Sequence, residues 1–87
     1  MQADKATVER LLKTARGQID GILKMVEDDR YCIDISNQIL ATVAMLNKTN
    51  REVIGAHIKK CVKDAKDDSE RDEKIDELIT LLNKLSK

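Results

Sequence analysis

The sequence predicts an all-α fold of three helices, and three observations carry that reading. Proline is absent from all 87 residues. Phenylalanine and tryptophan are absent too and Tyr31 is the only aromatic residue, so any core must be aliphatic. Charged residues make up 37 % of the chain, in a composition rich in Ala, Leu, Lys, Glu and Ile, and apolar positions recur three and four apart. A chain of this length is one domain that buries little apolar surface alone, and small aliphatic helical chains often complete their core by oligomerising.

The first helix is expected over residues 6–27, with Thr7 as its cap and Val8, Leu11, Leu12, Ala15, Ile19, Ile22 and Val26 as its apolar stripe. Gly17 and Gly21 interrupt it, and close approach of a neighbouring backbone is the expected reason. Glu27-Asp28-Asp29-Arg30 reads as an acidic link with turn character. The second helix is expected over 32–64. It carries Ile35, Ile39, Thr42, Leu46, Val53, His57 and Cys61 along one stripe, with Val43, Ile54 and Ile58 on an adjoining face. A polar link, Lys63 to Asp68, leads to a third helix over 69–85. Ser69 is its expected cap, Asp72 or Glu73 stands near the capping-box position, and Ile75, Leu78, Ile79, Leu82 and Leu85 form its stripe.

The long second helix holds the chemistry: the only histidine and both cysteines. His57 and Cys61, four residues apart, stack one turn apart on a single helix face. Cys32 lies about 37 Å away along an unbroken helix, at about 1.5 Å per residue, so one straight helix cannot bring all three to one ion. At about 100° per residue, His57 and Cys61 nevertheless lie roughly 20° to either side of Cys32's direction. A second copy laid antiparallel, with its two-fold near Met45 and Leu46, sets Cys32 of one chain against His57 and Cys61 of the other, and symmetry makes the site twice. The geometry needs helix continuity through Gly55, whose cost is about 1 kcal/mol relative to alanine. Two thiolates and an imidazole are soft donors that favour Cu(I) or zinc over magnesium or calcium, and three donors suit trigonal Cu(I) better than four-coordinate zinc. The competing reading makes the cysteines core filler and His57 a hydrogen-bonded core residue.

Other function classes find less support. No Cys-His-acid triad, glycine-rich phosphate loop or isolated carboxylate pair stands out, so the expectation is a protein that is not an enzyme. No apolar run approaches a membrane span and no secretory signal is evident, so a cytoplasmic location and reduced cysteines are expected. Formal net charge is zero, but the charge is segregated. Basic residues dominate the first helix and the second half of the long one, whereas Asp67, Asp68, Glu70, Asp72, Glu73, Asp76 and Glu77 make the third helix acidic at its start. Multiplied in an oligomer, the basic stripes would form a surface able to hold phosphates; a solvated helix face is the alternative.

Arg16-Gly17-Gln18-Ile19-Asp20-Gly21-Ile22, Met25, Asp29-Arg30-Tyr31-Cys32-Ile33-Asp34, Gln38-Ile39 and His57-Ile58-Lys59-Lys60-Cys61-Val62 resemble the copper-sensing operon repressor family of bacteria. The likeness runs from Val8 to Leu82. It implies a disc-shaped dimer of antiparallel helical dimers, a homotetramer, that binds double-stranded operator DNA when metal-free. Cu(I) binding would release the DNA and derepress copper-efflux genes. It also implies an intersubunit metal site at Cys32, His57 and Cys61, supported by Tyr31 and Glu77. On this reading Arg10, Lys13, Arg16, Lys48 and Arg51 are the candidate DNA contacts. Many members place a DNA-binding arginine where this chain has Leu11, and Arg10 stands beside it. A single histidine sets the chain apart from nickel- and cobalt-sensing relatives, and Cys61 from formaldehyde-sensing ones. Persulfide-sensing relatives usually lack the histidine and tyrosine, so the alternative is a thiol-redox repressor using Cys32 and Cys61.

Overall fold

A computed structural model describes residues 1–85, with only the backbone of Leu85, so the stripe position expected at that side chain lies outside the described residues. Three α-helices follow one another: α1 Lys5–Glu27, α2 Cys32–Lys63 and α3 Asp68–Leu85. No strand occurs among the described residues.

The helix ends correct two sequence expectations. The cap of α1 is Asp4, not Thr7: its Oδ2 accepts from the Thr7 backbone N–H at 3.1 Å and from Thr7 Oγ1 at 2.7 Å. Thr7 sits three residues into the helix, where it serves as the donor that the acidic cap needs. The cap of α3 is Asp67, not Ser69, since Asp67 Oδ1 accepts from Glu70 N at 2.8 Å. Glu70 reaches back to the Lys66 N–H at 3.1 Å, completing a capping-box-like exchange two residues ahead of the expected one. A carboxylate accepts more strongly than a hydroxyl, and that favours Asp over the nearby Thr or Ser.

Between α1 and α2 the chain reverses through a Schellman turn: Arg30 N donates to Met25 O at 3.0 Å and Asp29 N to Val26 O at 3.1 Å. Asp29 takes the left-handed position, with φ 53°, where glycine is the usual occupant. The short link makes α1 and α2 an antiparallel hairpin. α2 then runs unbroken for 32 residues, through Gly55, and both Lys60 and Lys63 lie in its last turn, where cations complement the helix dipole.

Val8, Leu11 and Ala15 of α1 are buried, as are Thr42 and Thr49 of α2. The two threonine hydroxyls are satisfied within their own helix, donating to Gln38 O at 3.1 Å and Met45 O at 2.8 Å, so neither leaves an orphaned polar group in the contact. Among the described residues α3 packs on α2 and not on α1. Ile58 is the buried residue of that half of α2.

The product is a slab, 57 × 27 × 10 Å. A helix with its side chains is about 10–12 Å across, so the slab is one helix layer thick. Its radius of gyration is 17.2 Å, against about 12 Å for a compact domain of this length. Two packed layers are what normally close a core, and one chain supplies one. Leu12, Leu23, Val26, Ile33, Ile39, Leu40, Val43 and Leu46 are all exposed, as are Ile75 and Ile79 of α3. The second-helix stripe therefore divides: Ile35, Thr42 and Val53 turn inward, whereas Ile39, Leu46 and His57 stay exposed.

The glycines depart from expectation as well. A Cβ built at Gly17, Gly21 or Gly55 meets nothing within 4 Å, so no neighbouring backbone within the chain explains the α1 pair.

Candidate metal centre

One side of the predicted donor set is assembled by α2 alone. Continuity of the helix places Cys61 Sγ 3.5 Å from His57 Nε2, a thiol–imidazole contact whose donor depends on the histidine tautomer. With metal–sulfur and metal–nitrogen bonds of about 2.3 and 2.0 Å, two donors on one ion stand about 3.5–3.7 Å apart. The pair thus already has the bite that a shared ion requires. His57 is exposed and Cys61 half-buried, so the imidazole faces outward while the sulfur is steadied by packing.

Cys32 opens α2, exposed, at the far end of the same unbroken helix. The structure does not bring it to His57 and Cys61 within one chain. Among the described residues no group of three or more His, Cys, Asp or Glu side chains could hold a metal. The residues fit a soft ion only as two donors plus one from elsewhere. Both cysteines are free thiols, so neither is committed to a disulfide.

The expected supporting residues lie apart from the pair. Tyr31 is the N-cap residue of α2, makes no side-chain capping bond, and is 66 % exposed. Glu77 pairs with Lys74 at 3.8 Å on α3, one helical turn before Leu81. Leu81 lines an open hollow of about 370 Å³ with Val53, Ile54, His57, Met1 and Gln2. No periodicity pointed to Met1. It lines the same hollow as His57 because residues 1–4 lead into α1 next to the end of α2, a tertiary juxtaposition.

Arg10, Lys13, Arg16, Lys48 and Arg51 are all exposed. None is in an ion pair among the described residues; the pairs formed are Lys5–Glu9, Arg30–Asp34, Lys60–Asp64, Arg71–Asp68 and Lys74–Glu77. Arg10 and Lys13 line a shallow groove on α1 with Ala6, Glu9 and Thr14. They lie roughly 140–160° around the helix from buried Ala15, counted at about 100° per residue. Leu11 is only 2 % exposed, so position 11 belongs to the core and Arg10 is the neighbour that faces solvent.

A family profile described as metal-sensitive transcriptional repressor matches residues 4–84. The copper-sensing transcriptional repressor CsoR of Mycobacterium ulcerans (strain Agy99) is 41 % identical over 75 residues, covering 86 % of this chain and 63 % of that protein. CsoR of Mycobacterium tuberculosis (strain ATCC 25618 / H37Rv) is 38 % identical over 79 residues, 91 % of this chain and 66 % of the relative. CsoR of Bacillus subtilis (strain 168) is 36 % identical over 84 residues, 97 % of this chain and 83 % of the relative. The chain thus spans just under two thirds of the length of these mycobacterial relatives. No solved structure matches it.

Proposed function

This chain belongs to the metal-sensitive transcriptional repressor family, whose members are regulators and not enzymes, and on that premise we propose that it is a Cu(I)-responsive repressor. It binds operator DNA when metal-free and is released by Cu(I), so that copper-efflux genes are transcribed. The observation that carries the reading is the 3.5 Å His57–Cys61 pair on an unbroken α2 whose first residue is the remaining thiol. The named copper sensors among the relatives support the choice of metal.

Cys32 of one protomer, with His57 and Cys61 of the partner subunit, would hold the ion. When bound, the ion supplies a soft Lewis acid shared by two chains. Everything else is done by protein groups. The exposed apolar residues of α2, Ile39, Val43 and Leu46, lie between the two ends of the donor stripe and supply the antiparallel contact. Their burial against a second copy closes the core that a one-layer slab leaves open. Tyr31 and Glu77 would steady the donors in the assembled dimer. Two such dimers form the homotetramer, and its DNA surface is built from Arg10, Lys13, Arg16, Lys48 and Arg51, none of which is in an ion pair among the described residues.

Linking two α2 helices end to end restricts how the protomers sit against each other. Coupling follows only if metal affinity differs between free and DNA-bound tetramers, and the same factor must then weaken DNA binding. A mobility-shift titration of the promoter region, with and without Cu(I), tests this. The metal-free protein is expected to shift the DNA and Cu(I) to abolish the shift; a metal-free protein that leaves the DNA unshifted overturns the repressor reading. The second reading, a thiol-redox repressor, draws on the two free thiols. It predicts that His57→Ala leaves induction by persulfide intact, whereas the copper reading predicts loss of induction with DNA binding retained.

A further inference from the structure

We propose that Lys59 is a further DNA contact, and that operator DNA lies across the slab face opposite the donor stripe. The inference rests on the DNA-binding reading and extends its set of contacts. Because α2 is the middle helix of a one-layer slab, two of its sides are covered and two are free. Thr42, buried in the contact with α1, and Ile58, buried in the half that α3 covers, mark the covered directions. At about 100° per residue they stand roughly 160° apart. Counted from Thr42, the stripe of Cys32, His57 and Cys61 lies roughly 60–100° to one side. Lys59 lies roughly 100° to the other, back to back with the two ligands it separates in sequence. Lys48 shares that face at roughly 120°, together with Asp34, Ala41, Glu52 and Gly55.

The two free faces differ in chemistry. Ile39, Val43 and Leu46, all exposed, fall on the donor side, and none of the exposed large apolar residues of α2 falls on the Lys59 side. Covering the apolar face with a second copy therefore leaves the Lys59 face outward. In an antiparallel hairpin, equal turns away from the shared contact reach the same slab face. Arg10, turned about 140° from Ala15 in the sense that Lys59 turns from Thr42, leans to that face as well. Lys59 is exposed and in no ion pair among the described residues, whereas the adjacent Lys60 is held by Asp64 at 2.9 Å. Lys48 and Lys59 stand about 17 Å apart along the axis at about 1.5 Å per residue. The major groove is about 12 Å wide, so two flexible lysine stems at that spacing meet phosphates on its opposite rims. Glu52 lies between them, where its carboxylate opposes the duplex and limits the affinity.

Fluorescence anisotropy of labelled promoter DNA, titrated with the metal-free full chain over a range of salt, tests the contact. Lys59→Gln is expected to lower the slope of log affinity against log salt by about 0.9 for each Lys59 on the duplex. Lys59→Arg, which keeps the charge, should restore it, and Glu52→Gln should raise the affinity. Lys60→Gln removes an equal charge from the same turn on the α1 side and should leave the slope unchanged. Equal losses in Lys59→Gln and Lys60→Gln, an unchanged slope in Lys59→Gln, no recovery in Lys59→Arg, or no gain in Glu52→Gln each overturn the inference and leave the repressor reading standing. An unaltered chain that binds the promoter at no salt concentration refutes the repressor reading, and the Lys59 contact with it.

Discussion

The two ends of α2 carry the same chemistry in opposite settings. At its start Cys32 is exposed, Tyr31 caps without a side-chain hydrogen bond, and Ile33 and Leu40 are open to solvent. At its end Ile58 is buried, and Val53, Ile54, Ala56, Cys61 and Val62 are at least half-covered where α3 packs on α2. Packing therefore covers the Cys61 end of the His57–Cys61 pair while leaving the Cys32 thiol presented outward. Two identical thiols stand in different settings because one end of the rod is sheathed and the other is bare.

The largest expected effect breaks that asymmetry directly. Cys32→Ala and His57→Ala chains should each lose the intersubunit copper site when prepared alone. Mixed at equal amounts and allowed to exchange, they should recover about a quarter of the sites, because half the random dimers are mixed and each keeps one of its two symmetric sites. Equilibrium dialysis against a competing Cu(I) chelator measures the recovery, and none at all would sink the head-to-tail arrangement.

The next effect separates the sheathed contact from the bare one. Leu11→Ala empties a position 2 % exposed within the hairpin and should cost about 2–4 kcal/mol in urea unfolding. Leu40→Ala, 61 % exposed, should cost the isolated chain less than about 0.5 kcal/mol. Leu46→Ala, at 42 % exposed within the proposed contact between copies, should show instead as a midpoint that depends more steeply on protein concentration.

A smaller effect sharpens the comparison at the turn that carries Cys32. Asp29 holds a left-handed φ of 53° inside a Schellman turn, and Asp29→Gly should stabilise the hairpin by about 0.5–1 kcal/mol in thermal unfolding. The geometry before Cys32 should stay unchanged.

The smallest effect concerns the cap of α1. Hydrogen bonds from the Thr7 side chain, and next from its backbone N–H, hold the Asp4 carboxyl below its ordinary value of 3.8. A carboxyl depressed by folding stabilises above its unfolded value, and that contribution disappears as pH falls through the folded one. The protection factor of the Thr7 amide, its exchange rate relative to an unfolded amide at the same pH, should therefore fall on acidification into that range. In Asp4→Asn, which keeps the acceptor and loses the titration, the protection factor should be insensitive to pH there.

Much of the architecture could be read from residues alone. The 3–4 apolar spacing and the absent proline placed three helices, and the separation of Cys32, His57 and Cys61 placed them on one stripe of a continuous rod. The caps were misjudged because Asp, Thr and Ser compete within a few residues of both helix starts, and which side chain turns back depends on how the chain enters. Gly17 and Gly21 suggested a close neighbour that the chain itself does not provide.

The sequence by itself determined the helical content and the angular agreement of Cys32, His57 and Cys61, because helix periodicity is local and converts position into direction. Only the tertiary structure decided which thiol is covered and which is presented, that Leu11 is core while Arg10 faces outward, and that Met1 and His57 line one hollow. Those outcomes depend on which helix covers which face, and a one-layer fold leaves that question to contacts between residues far apart in the chain.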